Sequence, residues 1–314
     1  MTALITRRGI FGGGGVKGFC SIGFLKGARR VGVKIEGALG VSVGSLVATL
    51  HENGLDADEI HRVFQERLRK SIINAARNIG PDVKASELLL AAMGWQPTIV
   101  TKAFKALGAP GAEDVVFDDP QAARDELIEH TSIYPDLLPA MREMVAELGL
   151  KAQPGLRILA FDLISRKPVL FTHKNTDDLA LALTASCALP GAFRPVAHPN
   201  GKMLLVDGAW YHRNPGDFDK PGAIIVKLNK ATALPLEMLS PIELAGHMKE
   251  VMGLCHFHRH EVDPAWGHTL VDMLTPHVAG LSFGISKNAQ DALVEYGEER
   301  AVEVLREAIA NGSL

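Results

Sequence analysis

Short apolar runs and helical patterns alternate along the first 54 residues of the chain. The run Gly9–Phe11 is followed by apolar positions at helical spacing from Phe19 to Ala28. A second run, Ile35–Leu39, is followed by a helical pattern that begins after Ser42 and stops near Asn53. This order predicts two parallel strands joined by a right-handed crossover. Both strands should end at the sheet edge where open α/β sheets bind ligands.

The next hundred residues have a mainly helical pattern, which predicts a helical insertion over about residues 55–150. Asp56–Lys70 is amphipathic, and Ser86–Met93 is an apolar run that opens with a serine and a glutamate. The overlapping stretch Leu88–Trp95 is best interpreted as buried core. The alternative is apolar surface for a membrane or an acyl chain.

Strand patterns return after residue 155. Leu156–Leu163 and Pro168–Thr172 predict a hairpin, and Asp177–Leu189 predicts a helix that stops at Pro190. Further strands are predicted over Arg194–His198, Lys202–Val206 and Ala223–Leu228, and C-terminal helices over about 241–310, including Asn288–Ile309. Strands and helices thus follow each other along much of the chain, which predicts an α/β protein.

Composition and charge narrow the class of protein. Apolar residues make up 47% of the chain and charged residues 22%, which is ordinary for a globular protein. The formal net charge is −3, so the domain-wide basic excess of an electrostatic nucleic-acid binder is missing. We therefore expect no nucleic-acid partner.

Cysteine usage and the N-terminal residues bear on the compartment. Cys20, Cys187 and Cys255 are odd in number and form no CxxC pair, which predicts free, buried thiols in a reducing compartment. The first residues lack the apolar core of a signal peptide. No apolar run approaches the about 18 residues of a membrane span. We expect a cytoplasmic protein, although export without an N-terminal signal would leave the same pattern.

The stretch Gly40–Gly44 spells G-x-S-x-G, the pattern of a serine on a sharp strand-to-helix turn. Such a turn strains the backbone at the serine and brings the residues two positions away against neighbouring elements. Glycines at 40 and 44 remove those collisions. Because the flanking patterns are a strand and a helix, Ser42 is a candidate nucleophile. The alternative is an accidental match in a glycine-rich chain.

A glycine loop, Gly12–Gly18, follows the first predicted strand and has three interpretations. It is a flexible turn, a dinucleotide-binding fingerprint with Glu36 as the ribose-binding acid, or an oxyanion hole. Small residues at a helix N-terminus leave backbone N–H groups free to meet negative charge. Ser42 favours the oxyanion hole, because a dinucleotide fold has no use for a serine elbow on its next strand.

Asp207 follows the apolar run Leu204–Val206 and precedes Gly208. An aspartate in that position is often only a turn residue. Here it should emerge at the same sheet edge as Ser42, where it could accept the serine proton directly. A two-residue serine–aspartate site is therefore possible without histidine.

Histidines give weaker candidates. Those that follow Asp207 and could complete a triad are His212, His247, His268 and His277, and none has a context that singles it out. His256, His258 and His260 would share one face of a strand and could then bind a metal. If the preceding helical pattern over Leu244–Leu254 continues through them, their side chains are scattered, and we expect no metal site.

Taken together and in this order, Gly13–Gly18, Gly40–Gly44 and Asp207–Ala209 resemble the three signature motifs of patatin-like phospholipases. Ala185–Phe193 and Asn214-Pro215 also resemble the family's segments before and after its aspartate strand. The resemblance covers about residues 7–230, with core motifs over 9–230. It implies a single domain over 1–314, built as a three-layer sandwich with a mostly parallel central sheet, helices on both faces and a helical insertion.

The resemblance also implies an activity, the hydrolysis of lipid acyl esters, without a cofactor or a metal. Carried over to matching positions, Ser42 is the nucleophile, Asp207 is the general base, and backbone N–H groups of Gly13 to Gly15 form the oxyanion hole. The motif residues that support them are Lys17, Gly18, Gly40, Gly44, Gly208 and Ala209.

Two positions depart from the family's pattern. Position 45 is a serine where alanine is common, a small change that should fit. The stretch Trp210–Arg213 is bulkier than usual, which bears on pocket shape and substrate preference.

The expected partner is a membrane phospholipid or another acyl lipid, met by peripheral contact, and an activating ligand or protein is compatible with this interpretation. Three alternatives stay open. They are acyl transfer through the same acyl-enzyme, a dinucleotide-dependent oxidoreductase and a non-catalytic lipid-binding module. Against a carrier transferase, Val41 stands where those enzymes usually have histidine.

Overall fold

A central, mostly parallel sheet of eight strands organises the protein in the computed structural model. The structure describes residues 4–68, 125, 136–190, 193–212, 214–230, 267–275 and 285–314. The strands are β1 (Ile5–Phe11), β2 (Val33–Val41), β3 (Leu156–Asp162), β4 (Lys167–Thr172), β5 (Val196–Ala197), β6 (Leu204–Asp207), β7 (Ile224–Lys230) and β8 (Thr269–Thr275). The helices are α1 (Gly18–Arg30), α2 (Val43–Glu52), α3 (Ala57–Val63), α4 (Leu138–Glu147), α5 (Leu179–Cys187) and α6 (Lys287–Ala310).

The first two strands are parallel neighbours, as the sequence predicts, with Phe11 opposite Gly40. Parallel pairing continues from β2 to β3, from β1 to β7 and from β7 to β8. The glycine loop after β1 and the turn after β2 therefore leave the sheet at the same edge. The fold is mixed α/β.

The strand β3 has different partners along its two sides. On one side β4 runs antiparallel to it over the whole stretch from Arg157 to Asp162. On the other side β2 pairs with it as far as Leu159, opposite Val41, and β6 takes over at Ala160, opposite Asp207. Because β6 is antiparallel to β3, the carboxyl ends of β2 and β6 meet along β3.

The main hydrophobic core lies on one face of the sheet, where residues of all six helices join side chains such as Phe11 and Ile158. The opposite face carries a smaller cluster centred on Ile10, Leu39 and Ile225. Phe218, which follows the β6 segment, packs against this second cluster.

A buried aspartate anchors the same segment to the second face. Asp219 is only 6% exposed and pairs with Arg8 of β1 at 2.7 Å and with Arg157 of β3 at 2.6 Å. Arg157 also donates a hydrogen bond to the carbonyl of Phe218. These contacts fix the chain that follows Asp207 against β1 and β3, and they restrict the movement of the loop between Asp207 and Asp219.

One local prediction is wrong. Thr269–Thr275 is a strand at the end of the sheet, inside the stretch predicted as C-terminal helices. The helix predicted from Asp56 is present in the described residues, as α3 continued by a turn of π-helix over Phe64–Leu68. Its start is correct, because Asp56 and Glu59 form a reciprocal capping box. Ser86–Met93 and Leu88–Trp95 lie outside the described residues.

Candidate active site

Ser42 lies on the sharp turn between β2 and α2 that its motif predicts. Its backbone has φ 55° and ψ −131°, a conformation that is rare for any residue other than glycine. A Cβ on Gly40 would collide with the backbone of Gly44, and one on Gly44 would collide with the carbonyl of Phe11. Glycine at 40 therefore lets the end of β2 pack against the start of α2, and glycine at 44 lets the turn pack against β1.

The Ser42 hydroxyl donates a hydrogen bond to Oδ2 of Asp207 at 2.6 Å. The carboxylate is 2% exposed, and its other oxygen, Oδ1, accepts a hydrogen bond from the N–H of Ala209 at 2.8 Å. That second bond fixes the rotation of the carboxylate so that one oxygen faces the serine. The structure thus brings together two residues that are 165 positions apart in the sequence.

Gly208 lets the chain turn close beneath the ends of the strands. A Cβ there would be 2.5 Å from the carbonyl oxygen of Leu159 and 3.0 Å from a methyl group of Val41. Glycine is needed because the backbone after Asp207 passes very close to the point where β2 and β6 meet.

The glycine loop lies against the serine turn and the residue after Gly208. A Cβ on Gly13 would be 3.2 Å from Cβ of Ser42 and 2.5 Å from Cβ of Ala209. Among the described residues, the N–H groups of Gly14 and Gly15 donate to no hydrogen bond. Small residues and available donors are what an oxyanion hole requires.

The loop continues directly into α1 through a 3₁₀ turn over Gly15–Lys17. The N–H of Lys17 donates to the carbonyl of Gly14, and the Lys17 side chain is 1% exposed. Gly18 faces Val43 so closely that a Cβ would collide with it. These contacts hold the loop against the first turn of α2.

Two serines that the sequence analysis did not assign to the site also contact Ser42. The Ser45 hydroxyl donates to the carbonyl of Ser42 at 2.6 Å. The Ser186 hydroxyl accepts a hydrogen bond from the N–H of Ser42 at 3.0 Å. Ser186 lies within the stretch Ala185–Phe193 that carries part of the family resemblance, and this was the only sequence signal for it.

The described cysteines are not activated nucleophiles. Burial raises the pKa of the Cys20 thiol to about 12. Burial, followed by the nearby negative charge of Asp207, raises the pKa of the Cys187 thiol above its usual range. Both side chains therefore stay protonated near neutral pH. The third cysteine, Cys255, lies outside the described residues.

The two histidines that follow Asp207 within the described residues make other contacts. His212 packs edge-on against the rings of Tyr211 and Phe218, and its Nδ1 is 3.8 Å from Oδ2 of Asp217. Nδ1 of His268 accepts a hydrogen bond from the N–H of Ala223. Outside the described residues lie His247, His256, His258, His260 and His277.

Glu36, the acid of the dinucleotide interpretation, lies within β2 rather than at its carboxyl end. It is solvent-exposed and pairs with Lys34 on the same strand at 2.6 Å. Since ligands of open α/β sheets bind at the carboxyl edge, this position disfavours a ribose-binding role.

No helix in the described part of the chain is long and apolar enough to cross a membrane. Across the same residues, no group of three or more histidine, cysteine, aspartate or glutamate side chains is placed to hold a metal ion.

The fold and the site together define a mixed α/β protein with a serine at a strand–turn–helix elbow beside a glycine loop. A sequence model of patatin-like phospholipases matches residues 9–217, about two thirds of the chain. The protein belongs to the patatin-like phospholipase family.

Individual relatives are distant. The chain is 22% identical to the uncharacterized protein YqhO of Bacillus subtilis, over 95% of this chain and 98% of that protein. Its fold is similar to that of VipD from Legionella pneumophila, with a TM-score of 0.53 and 14% identity, over 96% of this chain and 67% of VipD. A match to ExoU, in its complex with SpcU from the Pseudomonas aeruginosa type III secretion system, covers 97% of this chain and 51% of that one. Its TM-score is 0.42 and its identity 17%.

Proposed function

We propose that this protein is a serine acyl hydrolase that cleaves acyl ester bonds of phospholipids or related lipids. The observation that carries the proposal is the 2.6 Å hydrogen bond from the Ser42 hydroxyl to the buried carboxylate of Asp207. Membership of the patatin-like phospholipase family supports a lipid as the substrate.

In the proposed reaction, Ser42 Oγ attacks the ester carbonyl carbon while its proton passes to Oδ2 of Asp207. The tetrahedral intermediate collapses, the ester C–O bond breaks, and the departing alcohol takes the proton from Asp207. A water molecule then attacks the acyl-enzyme and gives a proton to Asp207. The carboxylic acid leaves, and Ser42 recovers its proton.

The oxyanion of each tetrahedral intermediate requires nearby donors. We assign this role to the backbone N–H groups of Gly13, Gly14 and Gly15. The closeness of Gly13 to Ser42 supports the assignment, as do the unused donors of Gly14 and Gly15. Removing one such donor from an oxyanion hole typically costs about 10²–10³-fold in rate.

The test is to label the protein with a fluorophosphonate probe and to assay phospholipids and p-nitrophenyl acyl esters. Ser42→Ala should abolish labelling and turnover, and Asp207→Ala should lower turnover by about 10²–10⁴-fold. Ser21→Ala is the matched control, because Ser21 is buried in α1 and its hydroxyl has no hydrogen-bond partner among the described residues. Undiminished turnover in Ser42→Ala would disprove the proposal.

The same assay separates the alternatives. If an added alcohol or carrier thiol is acylated in preference to water, the protein is a transferase. Binding of NAD or NADP without labelling of Ser42 would support the oxidoreductase. Lipid binding without labelling would support a non-catalytic module.

A further inference from the structure

We propose that Ser186 is a positioning residue that holds the backbone of Ser42 in its left-handed conformation, ready for attack. This role rests on the proposed function of Ser42. Ser186 is part of α5, 144 residues away from Ser42 in the sequence, and its hydroxyl contacts the backbone N–H of Ser42, whereas the reacting hydroxyl bonds to Asp207.

The Ser186 hydroxyl links two backbone groups. It donates its single proton to the carbonyl of Leu159 at 2.7 Å, so its oxygen must be the acceptor for the N–H of Ser42 at 3.0 Å. The Ser186 side chain is completely buried. Water therefore has little access to replace either bond, and an unpaired buried N–H or carbonyl is costly.

The position of this link follows from the strand pairing. Val41 is opposite Leu159 in the parallel β2–β3 ladder. Continuing that ladder by one step would bring the N–H of Ser42 to the carbonyl of Leu159. The chain instead turns at Ser42, where φ is 55°. In the structure, Ser186 Oγ lies between these two groups and bonds to both of them.

The same end of α5 also holds the proposed base. The carbonyl of Ala188 accepts a hydrogen bond from the N–H of Asp207 at 3.0 Å. Cys187 lies between Ser186 and Ala188 in the sequence. Its Sγ is 3.9 Å from the Ser45 hydroxyl, which itself bonds to the Ser42 carbonyl. The segment Ser186–Ala188 thus contacts the backbones that carry both the nucleophile and the base, and Ser186 supplies the contact to the nucleophile.

The experiment compares Ser186→Ala with Thr184→Val. Thr184 is equally buried in α5, but its hydroxyl bonds to the Ala180 carbonyl of its own helix at 2.7 Å. Each variant is assayed for kcat, for KM, for the rate of fluorophosphonate labelling and for hydrogen exchange of the Ser42 amide. We expect Ser186→Ala to lower kcat and the labelling rate by about 10–100-fold with KM nearly unchanged, because a buried hydrogen-bonded link is lost. Its Ser42 amide should also exchange faster.

Thr184→Val should keep kcat, labelling and Ser42 exchange within about twofold of the wild type, since its lost bond lies within one helix. Ser186→Thr keeps the hydroxyl and should restore most of the labelling rate. If Ser186→Ala folds and labels at the wild-type rate, the positioning role is overturned while the proposed function stands. A wild type that is not labelled at Ser42 overturns the proposed function and with it the catalytic purpose of the positioning role, and exchange of the Ser42 amide then tests only whether Ser186 holds that backbone.

Discussion

Val41 and Asp207 are neighbours along one side of β3, opposite Leu159 and Ala160 respectively. Each is the last residue of its strand, and the two strands approach this point from opposite directions. Ser42 is the next residue after Val41. Its position next to the Asp207 carboxylate is therefore set by the ends of two strands rather than by flexible loops. The sheet itself sets the distance between the proposed nucleophile and its base.

This arrangement makes Asp207→Asn an informative variant. The amide keeps the size of the side chain and can still accept the hydrogen bond from Ala209, but it cannot take the proton of Ser42. We expect ester hydrolysis to fall by about 10²–10⁴-fold. Thermal unfolding should change little. Steady-state assays and differential scanning calorimetry measure the two effects.

Asp162→Asn is the matched control, because Asp162 is also a buried aspartate at the end of a strand. Its carboxylate accepts hydrogen bonds from the N–H groups of Ile164, Ser165 and Leu204. Here we expect a loss of about 1–3 kcal/mol in unfolding free energy with activity retained. If both variants lose activity equally at full folding, Asp207 is not a specific base.

Gly13→Ala tests the packing of the glycine loop against the serine turn. The added methyl would press on Cβ of Ala209 and Cβ of Ser42, so the loop must move away from the serine. We expect a loss of about 10²-fold or more in kcat, the size of a lost oxyanion donor. Single-turnover acylation with a p-nitrophenyl ester reports it directly.

Gly54→Ala provides the comparison for Gly13→Ala. Gly54 has φ 87° and open space around its Cβ position, so alanine adds backbone strain without a collision. We expect about 1 kcal/mol of lost stability and unchanged kcat. Equal effects of the two substitutions on kcat would show that the glycine loop has no particular relation to the site.

The sequence predicts the glycine-dependent turns better than it predicts the sheet. Each motif reports a local steric demand, such as the collision that Gly44 avoids with Phe11, and local demands are visible in single residues. The direct contact of Ser42 with Asp207 was also expected, because strands of an α/β sheet end at a common edge.

What the sequence could not show depends on long-range pairing. The pattern of Thr269–Thr275 did not distinguish an edge strand from the helices predicted around it. In the sequence, Ser186 is an ordinary helix serine. Its bonds to the N–H of Ser42 and the carbonyl of Leu159 depend on how α5 packs against the ends of β2 and β3. Nor does a single sequence reveal that Asp219 would meet Arg8 and Arg157 across the sheet.

The Asp219 ion pairs give a stability prediction. Asp219 is buried between two arginines, and Asp219→Ala would leave them with hydrogen bonds to backbone carbonyls but without this carboxylate. We expect a loss of about 3–5 kcal/mol in unfolding free energy, measured by urea denaturation. Glu36→Gln is the control, because the Lys34–Glu36 pair is exposed and should contribute less than about 1 kcal/mol.

Glu52 gives a prediction on pH. Burial is the largest influence on its carboxyl group and raises its pKa, against smaller opposing effects of His51 and of the hydrogen bond from the Gly37 N–H. A raised pKa in the folded state stabilises the protein below the unfolded-state pKa, and that contribution is lost as the pH rises through the folded-state pKa.

Glu52→Gln cannot titrate, and its amide oxygen can still accept the bond from Gly37. We therefore expect its unfolding free energy to exceed that of the wild type at pH 7 and the difference to shrink toward pH 4. Glu295→Gln, on the exposed face of α6, is the control for the loss of one negative charge from the protein. Parallel stability curves of Glu52→Gln and the wild type between pH 4 and pH 7 would show that burial of Glu52 does not govern its ionisation.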